Sequence, residues 1–283
     1  MRRVPFYGWL GLAVIGVSEA GMFARIEPFW SWHTPIAWTG YIMFVDALVW
    51  RQRGDSLLRR DRAEAAFLAL ASIPLWVIFE QYNKHALHNW YYVGLPDNVF
   101  VRTVGYAWAF ATIWPAIFET SELIGALRDR RAPSYRRTPP PRVELGLPGW
   151  ISVIAGTAFL IVPFLFPSPW LSALVWLGFI LLLDPINAAL GAESIRGDLA
   201  NGRRGRLTNL AIGGLACGIV WECWNFWARS KWIYNVPVPP DIKLFEMPLA
   251  GYGGFPFFAL ECFTMYVCLR HLIWRGAWRP IAL

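Results

Sequence analysis

The sequence predicts an all-α fold: a polytopic membrane bundle of about eight transmembrane helices, arranged as a parallel 4+4 internal repeat. Three observations predict it. First, 56% of the 283 residues are hydrophobic and only 16% are charged, with a mean hydropathy of +0.38. A soluble domain carries about 25% charged residues. Second, several apolar runs approach the roughly 20 residues needed to cross ~30 Å of hydrocarbon. Third, one stretch occurs twice. FEQYN (Phe79–Asn83), Asn89-Trp90-Tyr91-Tyr92 and Glu119 match WECWN (Trp221–Asn225), Lys231-Trp232-Ile233-Tyr234 and Glu261, and the pairs Glu80/Glu222, Asn83/Asn225, Trp90/Trp232, Tyr92/Tyr234 and Glu119/Glu261 all lie 142 positions apart.

Taken in order, span 1 covers about Phe6 to Phe23 and holds Glu19, and span 2 covers about Pro35 to Trp50 and holds Asp46. The loop from Arg51 to Glu64 carries five arginines. Span 3, about Ala65 to Gln81, ends in FEQYN; a polar aromatic connection, Asn83–Asn98, leads to span 4 within Val99–Leu127. Span 5 is about Trp150 to Phe166. The turn Pro167-Ser168-Pro169 leads into span 6, Trp170 to about Leu183, where Asp184-Pro185 is expected to interrupt the helix. Span 7, about Leu210 to Trp227, carries WECWN, and span 8, about Leu249 to Trp274, opens on a Pro/Gly-broken segment.

The repeat extends to Gly8-Trp9 with Gly149-Trp150, and to Trp38, Gly40 and Asp46 with Trp176, Gly178 and Asp184. The chain therefore divides into a first four-helix unit (1–127), a basic Pro-rich cytoplasmic linker (128–147) and a second unit (148–283). An even number of spans per unit makes the repeat parallel about an axis along the membrane normal. The net charge of +7 sits in loops between apolar runs. That is the positive-inside pattern, not a nucleic-acid surface, and it puts both termini on the cytoplasmic side of the cell's inner membrane. The first run has no cleavage-site pattern and is expected to be retained as a span. The four cysteines lie in apolar runs without C-x-x-C spacing and are expected to pack as small hydrophobes.

An ionisable group inside a membrane is costly, so it faces the bundle interior with a partner or a task. Glu222 and Asn225, and likewise Glu80 and Asn83, are spaced i, i+3 on one helix face. Depth counting puts Glu222 level with Glu261, so that these two carboxyls could meet and one would keep its proton; Glu80 and Glu119 are the equivalent pair of the first half. The plainer alternative is an interhelical hydrogen-bonded clasp. Asp46 and Asp184, at span ends, are expected to serve Arg residues or helix termini. Trp221, Trp224, Trp90, Tyr92 and Tyr234 are the candidate substrate-binding rings, since aromatic faces stabilise cations; interfacial belting is the competing account for Trp90, Tyr92, Trp232 and Tyr234. His33, His85, His88 and His271 are too scattered for a metal centre, and neither a phosphate loop nor a nucleophile elbow is present.

Glu222, Trp232-Ile233-Tyr234 and Glu261, with Glu80, Trp90-Tyr91-Tyr92 and Glu119 in the first half, give a layout that resembles the lycopene cyclase domain of membrane-bound carotenoid cyclases. That family has a duplicated helical unit with an acid on one helix, a Trp-x-Tyr/Phe segment after it and an acidic motif on the next helix. Its Pro-x-Glu-Glu motif stands here as Ile117-Phe118-Glu119-Thr120 and Ala259-Leu260-Glu261-Cys262. The resemblance implies protonation-initiated cyclisation or isomerisation of an isoprenoid or carotenoid-like lipid, with Glu222, Glu261, Glu80 and Glu119 as acids, Asn225 and Asn83 orienting them, and no metal or other cofactor. Two other readings use the same residues: a proton-coupled transporter or lipid carrier, and a non-catalytic subunit of a membrane complex with Arg-rich docking loops.

Overall fold

The computed structural model describes residues 2–129, 140–237, 242–274, 281 and 283. Among these residues ten α-helices run α1 Phe6–Phe23, α2 Phe29–Arg53, α3 Leu57–Arg60, α4 Arg62–Tyr82, α5 Val99–Arg128, α6 Gly146–Leu165, α7 Ser172–Ala189, α8 Ile195–Ala200, α9 Gly205–Trp227 and α10 Gly254–Ile273. Four short strands lie between them: β1 Trp90–Val93, β2 Lys231–Tyr234, β3 Lys243–Leu244 and β4 Met247–Pro248. Among the described residues, six helical segments are long and apolar enough to cross a membrane: α1, Arg62–Leu87, α6, Pro169–Ala189, α9 and Leu249–Ile273. The protein is a multi-pass helical membrane protein. Much of the basic linker, the tail arginines Arg275 and Arg279, and part of the Asn235–Asp241 connection lie outside the described residues.

Helices pair as α1 with α2, α4 with α5, α6 with α7 and α9 with α10, while α5 also packs on α2 and α9, and α7 on α10. Small residues set the closest crossings. A Cβ on Gly11 would lie 2.5 Å from the Gly40 carbonyl oxygen, and one on Gly156 would lie 2.8 Å from that of Gly178. Backbones in contact are how membrane helices gain dispersion energy where no hydrophobic drive separates them from lipid. The outer faces of α1 and α6 expose Phe6, Trp9 and Val17, and Ile151, Ile154 and Ile161.

Prolines do not break the helices where the sequence suggests. α7 runs on through Asp184-Pro185 to Ala189. Pro185 cannot bond the carbonyl of Leu181, and that oxygen instead accepts from Ser152 Oγ of α6 at 2.8 Å. α2 starts at Phe29, ahead of the expected Pro35, and kinks at Trp32 (φ −122°, ψ 27°) before that proline. α10 is preceded, as its Pro/Gly content demands, by a 3-10 turn, Leu249–Gly253.

The aspartates close helix ends. Asp46 accepts from the Leu58 backbone N–H at 2.8 Å and from Ser56 Oγ at 2.9 Å, at the start of α3. Asp184 accepts from the N–H groups of Ile195 and Arg196, both at 2.7 Å, at the start of α8. The same end of the bundle holds buried ion pairs, Arg206 with Asp198 (2.9 Å) and Glu193 (3.3 Å) and Arg270 with Glu64 (3.2 Å), and a partly buried one, Arg60 with Glu122 (3.5 Å).

Candidate functional site: two glutamate–tyrosine pairs on an aromatic cavity

At the opposite end, the chain leaves α4 and α9 by the same device. Asn83 Oδ1 accepts from the Trp90 N–H at 3.1 Å and its Nδ2 donates to the Trp90 carbonyl at 2.8 Å. Asn225 does the same for Trp232, at 2.9 Å in both directions. Each amide thus folds the following segment back over the helix end. The aromatic, β-prone residues of those segments then pair as an antiparallel ribbon, β1 with β2, in the register Trp90↔Tyr234, Tyr91↔Ile233, Tyr92↔Trp232 and Val93↔Lys231.

The fold-back brings a tyrosine onto each helix glutamate. Tyr92 Oη donates to Glu80 Oε1 at 2.6 Å, and Tyr234 Oη donates to Glu222 Oε1 at 2.7 Å. Glu80 Oε1 also receives the indole N–H of Trp76 at 2.9 Å and of Trp90 at 3.3 Å. In the second pair the Trp232 indole donates to Tyr234 Oη, at 2.8 Å, and also lies against Glu222. Burial first, and then the glutamate charge, push both phenols well above their ordinary range, so both stay protonated.

The ribbon roofs a cavity of about 460 Å³. Tyr92 and Tyr234 line it together with Trp38, Trp76, Phe79, Trp90, Trp176, Trp221, Trp232 and Phe258, and among the described residues Arg102 is the one charged lining residue. The rings reach it from several elements: Trp38 from α2, Trp76 and Phe79 from α4, Trp176 from α7, Trp221 from α9 and Phe258 from α10. A pocket of this size with apolar walls and a few convergent polar groups fits a small-molecule or lipid-chain site.

The carboxylates expected to pair with one another do not. Glu222 turns to β2, whereas Glu261 is fully buried against the α7 backbone at Phe179. Glu119 is likewise buried, facing Asp46, Glu122 and Arg60 rather than Glu80. Depth along a helix does not fix facing, and the returning strands supply a nearer partner. Asn83 and Asn225 bind strand backbone rather than orienting a carboxylate. Trp224 is two residues from Glu222, on the far side of α9. Its indole donates to Glu19 of α1 at 2.7 Å, with the Trp38 ring edge-on at 4.9 Å, and it is not a cavity residue. Trp221, Trp90, Tyr92 and Tyr234 are cavity residues.

Trp76, Phe258 and Tyr106 were not singled out by sequence. Trp38 and Trp176, which line the cavity from α2 and α7, stand 138 positions apart in the repeat, a signal that could have placed them. Among the described residues no group of three or more His, Cys, Asp or Glu is placed to hold a metal ion. Comparison with protein-family models, with curated proteins and with solved structures finds no match to this chain.

Proposed function

We propose that this protein is an integral membrane enzyme that isomerises or cyclises an apolar isoprenoid-like lipid by acid-initiated chemistry. The observation that carries the reading is the pair of glutamate–tyrosine hydrogen bonds at the wall of an aromatic cavity. A protonated glutamic acid, acting through its tyrosine, protonates an alkene carbon: the phenol O–H passes its proton to carbon as the glutamic acid O–H replaces it, the π pair forms the new C–H bond, and its neighbour becomes a carbocation faced by indole rings. With or without closure of a second double bond on that cation, a proton then leaves to the other carboxylate and returns to the donor, so the sum is an isomerisation needing no further reactant. In the resemblance to lycopene cyclases, Glu80 and Glu222 take the place of the first acids; Glu119 and Glu261, away from the cavity wall, become structural acids.

The transporter reading is disfavoured by where the cavity lies. Its residues come from the ribbon end of each long helix, Trp76 and Phe79 of α4, Trp221 of α9 and Gly254–Phe258 of α10. The other end is filled by the ion pairs of Arg206, Arg270 and Arg60. A carrier needs a route to both sides.

With α2 and α5, 25 and 30 residues long, counted with the six apolar segments, the reading includes eight spans as a 4+4 repeat. Matching Asn clasps, Glu–Tyr bonds and Gly crossings in the two halves support it. Both termini and the α3 and α8 ends then face the cytoplasm by the distribution of Arg. The test of the function is lipid-extract profiling of a deletion strain rescued with wild type, Glu222→Gln or Glu80→Gln. Wild type restores a lipid that neither variant makes, while an isomer of equal mass accumulates; full rescue by both variants overturns the proposal.

A further inference from the structure

The two glutamate–tyrosine pairs look equivalent in sequence but are wired differently, and the difference assigns them opposite jobs. Three donors converge on Glu80 Oε1: Tyr92 at 2.6 Å, Trp76 at 2.9 Å and Trp90 at 3.3 Å. Donors aimed at a carboxylate favour its charged form. In the second pair, position 218, which corresponds to Trp76 at the 142-residue offset, is glycine. A Cβ there would lie 2.2 Å from the Phe255 ring, so that ring occupies the space an indole would need. The Trp232 N–H lies 2.8 Å from Tyr234 Oη and is shared between that phenol and Glu222, so Glu222 lacks the dedicated indole donor that Trp76 gives Glu80, and Glu222 Oε2 is buried without a hydrogen-bond partner.

We propose, resting on the enzymatic reading above, that Glu222–Tyr234 is the proton-donating pair and Glu80–Tyr92 the anionic, proton-accepting pair. A hydroxyl has two acceptor lone pairs and one proton. If Glu222 is neutral, its Oε1–H turns the 2.7 Å bond around and donates to Tyr234 Oη, which already accepts from Trp232. Both lone pairs are then filled, and the phenol's own proton is directed away from them, toward the cavity that Tyr234 lines. In the step, the Tyr234 O–H bond breaks as the alkene π pair takes its proton, and the Glu222 O–H bond breaks to restore the phenol, leaving Glu222 as carboxylate. The cation later loses a proton to Glu80, and that proton returns across the ribbon, where Tyr92 and Tyr234 are electrostatic neighbours. Other titratable neighbours fit this division. Tyr106 of α5 faces Glu80, while Glu222 sees Tyr252 and Glu246, the latter already paired with Lys231.

The test is infrared difference spectroscopy of the purified chain in lipid nanodiscs at neutral pH, which needs no substrate. Expected are loss of a protonated-carboxyl band in Glu222→Gln, loss of a carboxylate band in Glu80→Gln, and a new protonated-carboxyl band in Trp76→Phe. Tyr234→Phe, which keeps the ring, should shift the Glu222 band without abolishing it. A protonated band lost with Glu80→Gln, or none lost with Glu222→Gln, overturns the assignment. Lipid profiling is scored separately, so the enzymatic reading can fail while the charge assignment stands, and the reverse.

Discussion

Asn225 holds both backbone groups of Trp232, receiving its N–H and donating to its carbonyl at 2.9 Å each. One fully buried amide thereby fixes where β2 begins and so where Tyr234 meets Glu222. Asn225→Asp keeps the acceptor but leaves the Trp232 carbonyl facing a carboxylate oxygen. A buried polar group left unpaired costs about 1–3 kcal/mol. The variant should melt at a lower temperature in detergent and lose the activity dependent on Glu222, while Asn98→Asp, at an exposed helix cap, should do neither.

The Gly11–Gly40 crossing gives a paired prediction within one helix. Gly11→Ala drives a methyl against the Gly40 carbonyl and the Phe44 backbone nitrogen, neither of which can rotate aside. Gly16→Ala meets nothing within 4 Å and gains up to about 1 kcal/mol of helix propensity. Thermal unfolding should fall for the first and hold or rise for the second; equal effects would contradict the close contact of α1 and α2.

The cavity can be filled without touching an acid. Ala109→Trp places an indole in the space lined by Trp76 and Phe258. If the cavity takes a lipid chain, lipid conversion in the rescue strain should drop at least tenfold while protein level and melting temperature hold. Undiminished conversion would put the substrate elsewhere.

Arg206 gives a pH-dependent prediction. It pairs with Glu193 and Asp198, all three side chains being at least nine-tenths buried. Burial raises the Glu193 carboxyl above its usual range, and Arg206 opposes that rise. Arg206→Gln removes the opposition, so the folded-state value climbs further. The added cost is absent below the unfolded carboxylate value of about 4.3 and grows as pH rises above it. Removing one partner of a buried pair costs about 3–5 kcal/mol. The melting-temperature gap between wild type and variant should widen from pH 4 to pH 8; a constant gap would deny the Glu193 pairing.

Much of this architecture is legible in the sequence, because a period of 142 and long apolar runs are local or additive signals. The ends of α1, α4 and α9 fall within a few residues of those read from hydropathy. For Asp46 and Asp184 the sequence left two uses open, Arg partners or helix-end groups, and the hydrogen bonds select the helix ends, because the short helices α3 and α8 that they cap lie in stretches that read only as Arg-rich loops. What was not legible is contact across sequence. WYYV and KWIY carry strand-forming residues, yet each is four residues long and reads equally as an interfacial belt. Only the Asn clasp and the partner strand 142 positions away make them a ribbon. The Glu222–Glu261 pairing failed for the same reason: a helix count gives height but not azimuth. Pro185 misled because its cost is offset by Ser152, 33 positions earlier.

The β1–β2 ribbon has a consequence for any version of this protein made in two pieces. Four cross-strand residue pairs join positions 90–93 to 231–234, and α5 packs on α9, independently of the covalent join near residue 129. Fragments 1–129 and 140–283, co-expressed, should therefore find each other and complement as an obligate heterodimer. Neither fragment alone would bring its glutamate–tyrosine pair opposite the other.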